Sequence, residues 1–170
     1  KSLEDKDINN DESIKALKQV LFGEKLSYEF KNIEENKLGK TKGQLVGGNL
    51  TLIHCLIGSK SSINTDNKIL FIEDLGEYLY HIDRMLVSLK RAGYFDKCKG
   101  LIVGDFSDLR KNTTPFGKNL KQIILDAVKD FDFPVLFEFP AGHEKLNMPL
   151  ILGREIIMDI KSSTSSIEFL

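Results

Sequence analysis

Cysteine is scarce in this chain, and so are the patterns that would give it a role. Cys55 and Cys98 are its two cysteines, with no CxxC and no Cys/His repeat. That excludes a disulfide framework and argues against structural zinc. The apolar stretch around Cys55 predicts a small buried hydrophobe. Lys97 and Lys99 flank Cys98 and are placed to lower its thiol pKa, but no base stands near it to complete a nucleophilic site. Long hydrophobic runs are missing as well, and none approaches the ~20 residues needed to cross a bilayer. The opening KSLEDKDINN is charged and polar, with no visible secretion signal, which predicts a cytoplasmic protein. It lacks an initiating Met, which predicts a piece of a longer chain. Net charge is also absent. Lys and Arg number 24 against 25 Asp and Glu, for a formal charge of −1, so nothing draws nucleic acid or an anionic membrane to the chain as a whole.

A length of 170 residues suits one compact domain, and a 41% hydrophobic content is that of an ordinary globular core. Residues 11–23 read as an opening helix. Ile14, Leu17, Val20 and Leu21 recur at helical spacing, Asp11 or Ser13 caps the start, and Gly23 supplies the left-handed stop. Leu26, Tyr28 and Phe30 alternate with polar residues, as in a half-buried strand. Gly39, Gly43, Gly47 and Gly48 predict a flexible stretch, followed by an apolar helix over 50–57 with Asn49 as cap. The continuous apolar run 69–72 predicts a strand buried on both faces. Residues 79–92 form a helix with Ile82, Met85, Leu86 and Leu89 inward, ended by Gly93. Residues 100–106 are a second buried strand, and 118–130 an amphipathic helix. Further strands follow at 134–139 and 155–160, with a final edge strand at 167–170. Alternating strands and helices, then accumulating strands, predict an α/β fold with a mixed sheet.

Three clusters fall just beyond the carboxyl ends of these strands, where α/β folds place their chemistry. Glu73, Asp74 and Glu77 follow the first buried strand. Asp105, Ser107 and Asp108 follow the second, and Gly142, His143 and Asn147 the third. Each also has a plain structural role open to it, since carboxylates ahead of a helix cap its amides and suit its dipole. His54 and His81 lie on helices and read as structural. The Gly47-Gly48-Asn49 turn offers amides to an anion but lacks the full phosphate-loop pattern. Pairing Glu73 with His143 has a direct logic. A carboxylate that accepts the imidazole Nδ1–H fixes the tautomer and frees Nε2 to take a proton. A nucleophile for that pair is missing: no GxSxG turn occurs, and Ser107 is the one serine near a strand end. Another reading treats Glu73, Asp74, Glu77, Asp105 and Asp108 as hard oxygen ligands for Mg²⁺ in phosphoryl chemistry. A third is a non-catalytic binding or assembly domain.

Three longer blocks carry a resemblance in the right order: GGNLTLIHCLIGS, then ILFIEDLGEYLYHIDRMLVSLKRAGYFDKCKGLIVGDFSD, then FPVLFEFPAGHEKLNMPLILG. From about residue 43 to 160 the chain resembles the C-terminal domain of the L,D-carboxypeptidase family. These serine peptidases include the murein tetrapeptide carboxypeptidases and the microcin C self-immunity peptidases. The resemblance implies a swivelling β/β/α-type domain, the second of a two-domain serine peptidase. Residues 1–24 would then be a connector helix from a missing N-terminal domain, and 25–170 the C-terminal domain. The family's Ser-Glu-His triad falls on Glu73 and His143, with Glu77 as the alternative acid. Its serine belongs to a GYSD-like block in the N-terminal domain, and no such block occurs here, so the chain alone is expected to be inactive. The implied reaction removes the terminal D-Ala from murein tetrapeptides in peptidoglycan recycling, without metal or organic cofactor. The implied partners are a muropeptide substrate, the missing N-terminal domain and a second copy in a homodimer, with no nucleic acid or membrane. A microcin C-type peptidyl-nucleotide is the alternative substrate.

Overall fold

Side chains that alternate between two faces decide how this chain stacks. A computed structural model describes residues 12–111 and 113–170. The candidate cap Asp11 lies outside the described residues. The elements are α1 (Glu12–Leu21), β1 (Ser27–Lys31), β2 (Gly39–Asn49), α2 (Leu50–Cys55), β3 (Lys68–Leu75), α3 (Leu79–Arg91), β4 (Gly100–Ser107), α4 (Leu120–Val128), β5 (Val135–Leu136), β6 (Glu155–Ile160) and β7 (Thr164–Phe169). One seven-stranded sheet runs in the order β1-β7-β6-β2-β3-β4-β5. Strands β2 to β5 pair in parallel, while β1, β7, β6 and β2 pair antiparallel. The fold is therefore α/β with a mixed sheet.

Along β3, Leu70 and Ile72 face the helices, and Ile69 and Phe71 face the opposite side. Period-two alternation with apolar residues on both faces explains the unbroken hydrophobic run. On the helical side, Ile82, Met85, Leu86 and Leu89 of α3 are buried, as their spacing predicts. Each such fully buried Leu or Ile contributes about 1.5–3 kcal/mol. The other face is covered by Val20 of α1 and by Phe139, Ala141, Met148, Leu150 and Ile151 of the segment after β5.

Several expectations need correction. The glycine-rich stretch is no flexible loop but the central strand β2, bonded on one edge to β3 and on the other to β6. Its glycines serve close approach: a Cβ on Gly47 would lie 1.9 Å from the Phe71 carbonyl oxygen. That pairing places Gly47, Gly48 and Asn49 within a strand rather than in a turn. β5 is cut to two residues, because the Phe137 N–H donates to Asn36 Oδ1 at 2.8 Å and Glu138 turns to φ 59°. β7 is not at the edge; β1 pairs outside it. Helix α2 ends at Cys55, and that cysteine is exposed rather than buried. Cys98 is the buried one, and burial pushes its thiol pKa up rather than down.

Asn49 joins β2 to α2. Its Oδ1 accepts from the Leu52 N–H at 3.1 Å, and its Nδ2 donates to Asp74 Oδ1 at 2.8 Å. Asn49→Ala removes a cap and deprives a buried carboxylate of a donor. A loss of about 1–3 kcal/mol is expected, read from the urea midpoint.

Candidate functional site

Glu73 and His143 reach one place by different routes. Glu73 lies within β3, not after it, and stands opposite an irregularity in β4. The step from Ile72 to Asp74 is matched by Val103 to Phe106, so Gly104 and Asp105 share the position facing Glu73. Bulges of this kind re-aim side chains and recur beside active sites. Beyond β5 the chain keeps beside β4, with the Phe139 N–H donating to Val103 O and the Asp105 N–H to Ala141 O. It then crosses toward β3 because Gly104 has no side chain. A Cβ there would meet the Ala141 oxygen at 2.3 Å and the Phe71 ring at 2.7 Å. Gly142 in turn lies close over Asp105: a Cβ on Gly142 would fall 2.8 Å from the Asp105 Cβ. Two glycines thus let the loop bring His143 over β4 to the Glu73 carboxylate.

His143 Nδ1 stands 3.0 Å from Glu73 Oε2. The carboxylate side chain is 11% exposed and the imidazole 44%, so the pair has a buried acid and an open base. The oxygen is buried and the ring N–H is not in line with it, so this is an ion-pair distance without a finished hydrogen bond. Such contacts tighten when substrate fills a site. Burial pushes the Glu73 carboxyl above its ordinary range, against the opposing pull of His143, while the Asp74 charge adds to the rise.

The other acids have separate duties. Asp74 accepts from Asn49 Nδ2, from the Thr51 N–H and hydroxyl and from the Leu75 N–H, which fixes the start of α2. Glu77 Oε2 lies 2.8 Å from Nδ1 of His81, one turn further along. The alternative acid is therefore paired with a different histidine. Among the described residues no group of three or more His, Cys, Asp or Glu is arranged to hold a metal ion. The Ser107 hydroxyl donates to Glu144 Oε1 at 2.7 Å. Glu144 went unnoticed in the sequence, and no local pattern marks it. Gly104 had a readable signal, since a glycine inside an apolar strand marks a bulge or a close approach.

Asp105 is half-buried, and its Oδ2 is enclosed without a hydrogen bond. Burial, then the Glu144 charge, raises its carboxyl pKa, with His143 pulling the other way. The native state thus holds this proton more tightly than the unfolded chain. The stability it gives is complete below the ordinary carboxyl range and is lost as pH rises through the raised value. Asp105→Asn is expected to raise Tm at neutral pH and to leave it at the wild-type value near about pH 3, below the ordinary Asp pKa of about 3.9. Thermal melts across that range read the difference.

Residues 42–158 match the LD-carboxypeptidase C-terminal domain. The chain belongs to that family. The matched stretch of this LD-carboxypeptidase C-terminal domain includes both Glu73 and His143. A probable murein peptide carboxypeptidase of Bacillus subtilis is 35% identical over 130 residues, which span 76% of this chain and 41% of that protein. The microcin C7 self-immunity protein MccF of Escherichia coli is 29% identical over 135 residues, covering 76% and 37%. A muramoyltetrapeptide carboxypeptidase from Oxalobacter formigenes shares the fold at a TM-score of 0.84 and 24% identity, over 92% of this chain and 53% of that one. This domain therefore spans less than half the length of these two sequence relatives. Among the described residues no helix is long and apolar enough to cross a membrane.

Proposed function

We propose that this chain is the part of a serine-type L,D-carboxypeptidase that supplies the Glu and His of a Ser-Glu-His triad. The 3.0 Å approach of His143 Nδ1 to Glu73 Oε2 carries the reading. In it, a serine on an N-terminal domain attacks the carbonyl between the third residue of a murein tetrapeptide and its terminal D-Ala. His143, held by Glu73 through Nδ1, takes the serine proton on Nε2 and returns it to the leaving amine. Glu73 stabilises the imidazolium that forms between those two transfers. Residues 1–24 connect the two domains, the chain alone is inactive, and the enzyme works as a homodimer in the cytoplasm in peptidoglycan recycling. The length of the relatives supports a longer parent chain, and the murein names some of them bear support the substrate class.

A second reading has a specific observation behind it. The relationship to MccF favours a peptidyl-nucleotide of the microcin C type as substrate. One assay separates the two, with the protein extended through its serine-bearing domain and offered both substrates. Release of D-Ala from an L,D-linked tetrapeptide supports the murein reading. Cleavage of the peptidyl-nucleotide alone replaces it with the second. Turnover of neither leaves a binding or assembly domain and ends the peptidase proposal.

A further inference from the structure

The loop carrying His143 is tied down on both sides of the histidine by groups that are not part of the Glu73–His143 pair. Asn147 reaches back across it. Its Nδ2 donates to the Gly142 carbonyl at 2.9 Å, and its Oδ1 accepts from the Gly142 N–H at 3.3 Å. One side-chain amide thus grips both polar groups of the residue just before the histidine. The Asn147 N–H donates in turn to Ser13 Oγ on α1 at 3.0 Å. On the other side of the histidine, Ser107 Oγ holds Glu144 Oε1 at 2.7 Å. His143 itself is 44% exposed, so packing alone does not fix its ring. The backbone must do so.

We infer that Asn147 is a positioning residue for His143: by closing the loop onto Gly142 it holds the imidazole at Glu73, and through Ser13 it ties that placement to α1. The inference rests on the proposed Glu73–His143 pair and assigns the means by which that pair is held. An ordinary structural role for Asn147 predicts a loss of stability and nothing more. A positioning role predicts a change at the imidazole even where the fold survives.

The test reads the ring directly. Nitrogen NMR of the 170-residue chain, at about pH 8.5 and so well above the ordinary imidazole pKa of about 6.5, gives the fraction of His143 carrying its proton on Nδ1. That fraction is expected to fall at least about twofold from the wild type to Asn147→Ala. Asn119→Ala breaks the capping box of α4, a site of its own, and serves as the comparison. It is expected to lower stability while leaving the His143 tautomer unchanged. If Asn147→Ala does not fold, Ser13→Ala removes the acceptor of the Asn147 N–H and should shift the tautomer the same way by less. An Asn147→Ala tautomer equal to wild type, or one moved as far by Asn119→Ala, overturns the inference. Glu73→Gln separates the two levels. If it leaves the tautomer unmoved, the Glu73–His143 pair itself fails; if it shifts the tautomer and Asn147→Ala does not, only the positioning role fails.

Discussion

His143→Ala is expected to lower kcat for D-Ala release by about 10⁴-fold in the enzyme that joins this domain to its serine, with KM changed far less. In the proposed mechanism the imidazole is the group that takes the serine proton. Glu73→Gln should cost about as much, because an amide leaves Nδ1–H unmatched and lets the wrong tautomer form. Glu77→Gln is the informative contrast. Its carboxylate is bonded to His81 rather than His143, so its effect on kcat should stay within about tenfold. The steady-state rates of the three variants with an L,D-linked tetrapeptide check the assignment. Equal losses in Glu73→Gln and Glu77→Gln would make the acidic turn act as a unit and remove the special place given to Glu73. The raised carboxyl of Glu73 sets a further expectation: the acid limb of kcat/KM lies above the ordinary carboxylate range, since Glu73 must ionise to hold the ring.

Patterns with a strong period were legible in advance. The spacing of Ile82, Met85, Leu86 and Leu89 located α3, and the unbroken run through Ile72 located a doubly buried strand. Their signals are local, because each element's own periodicity shows the face it buries. What stayed hidden depends on partners distant in the chain. Gly39, Gly43, Gly47 and Gly48 read as flexibility, and only the strands on either side turn them into the centre of a sheet. The length of β5 depends on the amide of Asn36, from the segment after β1, capturing the Phe137 N–H. At the site, Glu73 and His143 stand out because each follows or ends an apolar run. The bulge at Gly104 and Asp105 that aims them, and the Ser107–Glu144 and Ser13–Asn147 bonds, join segments with no shared pattern. Residue types marked the candidates, and tertiary pairing decided which acid received the histidine.

Neighbouring glycines in β2 give a prediction about the sheet that holds the site. Gly47 and Gly48 both have positive φ, 137° and 144°, so alanine strains the backbone at either position. Their surroundings differ. A Cβ on Gly47 would fall 1.9 Å from the Phe71 carbonyl oxygen and 2.7 Å from its carbonyl carbon and nitrogen, while one on Gly48 meets nothing within 4 Å. All three colliding atoms are backbone in the paired strand, and no rotamer change moves them. Gly48→Ala should therefore cost only the conformational strain, about 1–3 kcal/mol. Gly47→Ala adds a forced separation of β2 from β3, the pairing that carries Asn49 to Glu73. A loss of about 4 kcal/mol or more is expected, a large part of the 5–15 kcal/mol that holds an ordinary domain together. Urea unfolding of the two variants side by side measures the difference. Equal midpoints would mean that β2 and β3 do not approach this closely, and the route by which the sheet presents Glu73 to His143 would have to be redrawn.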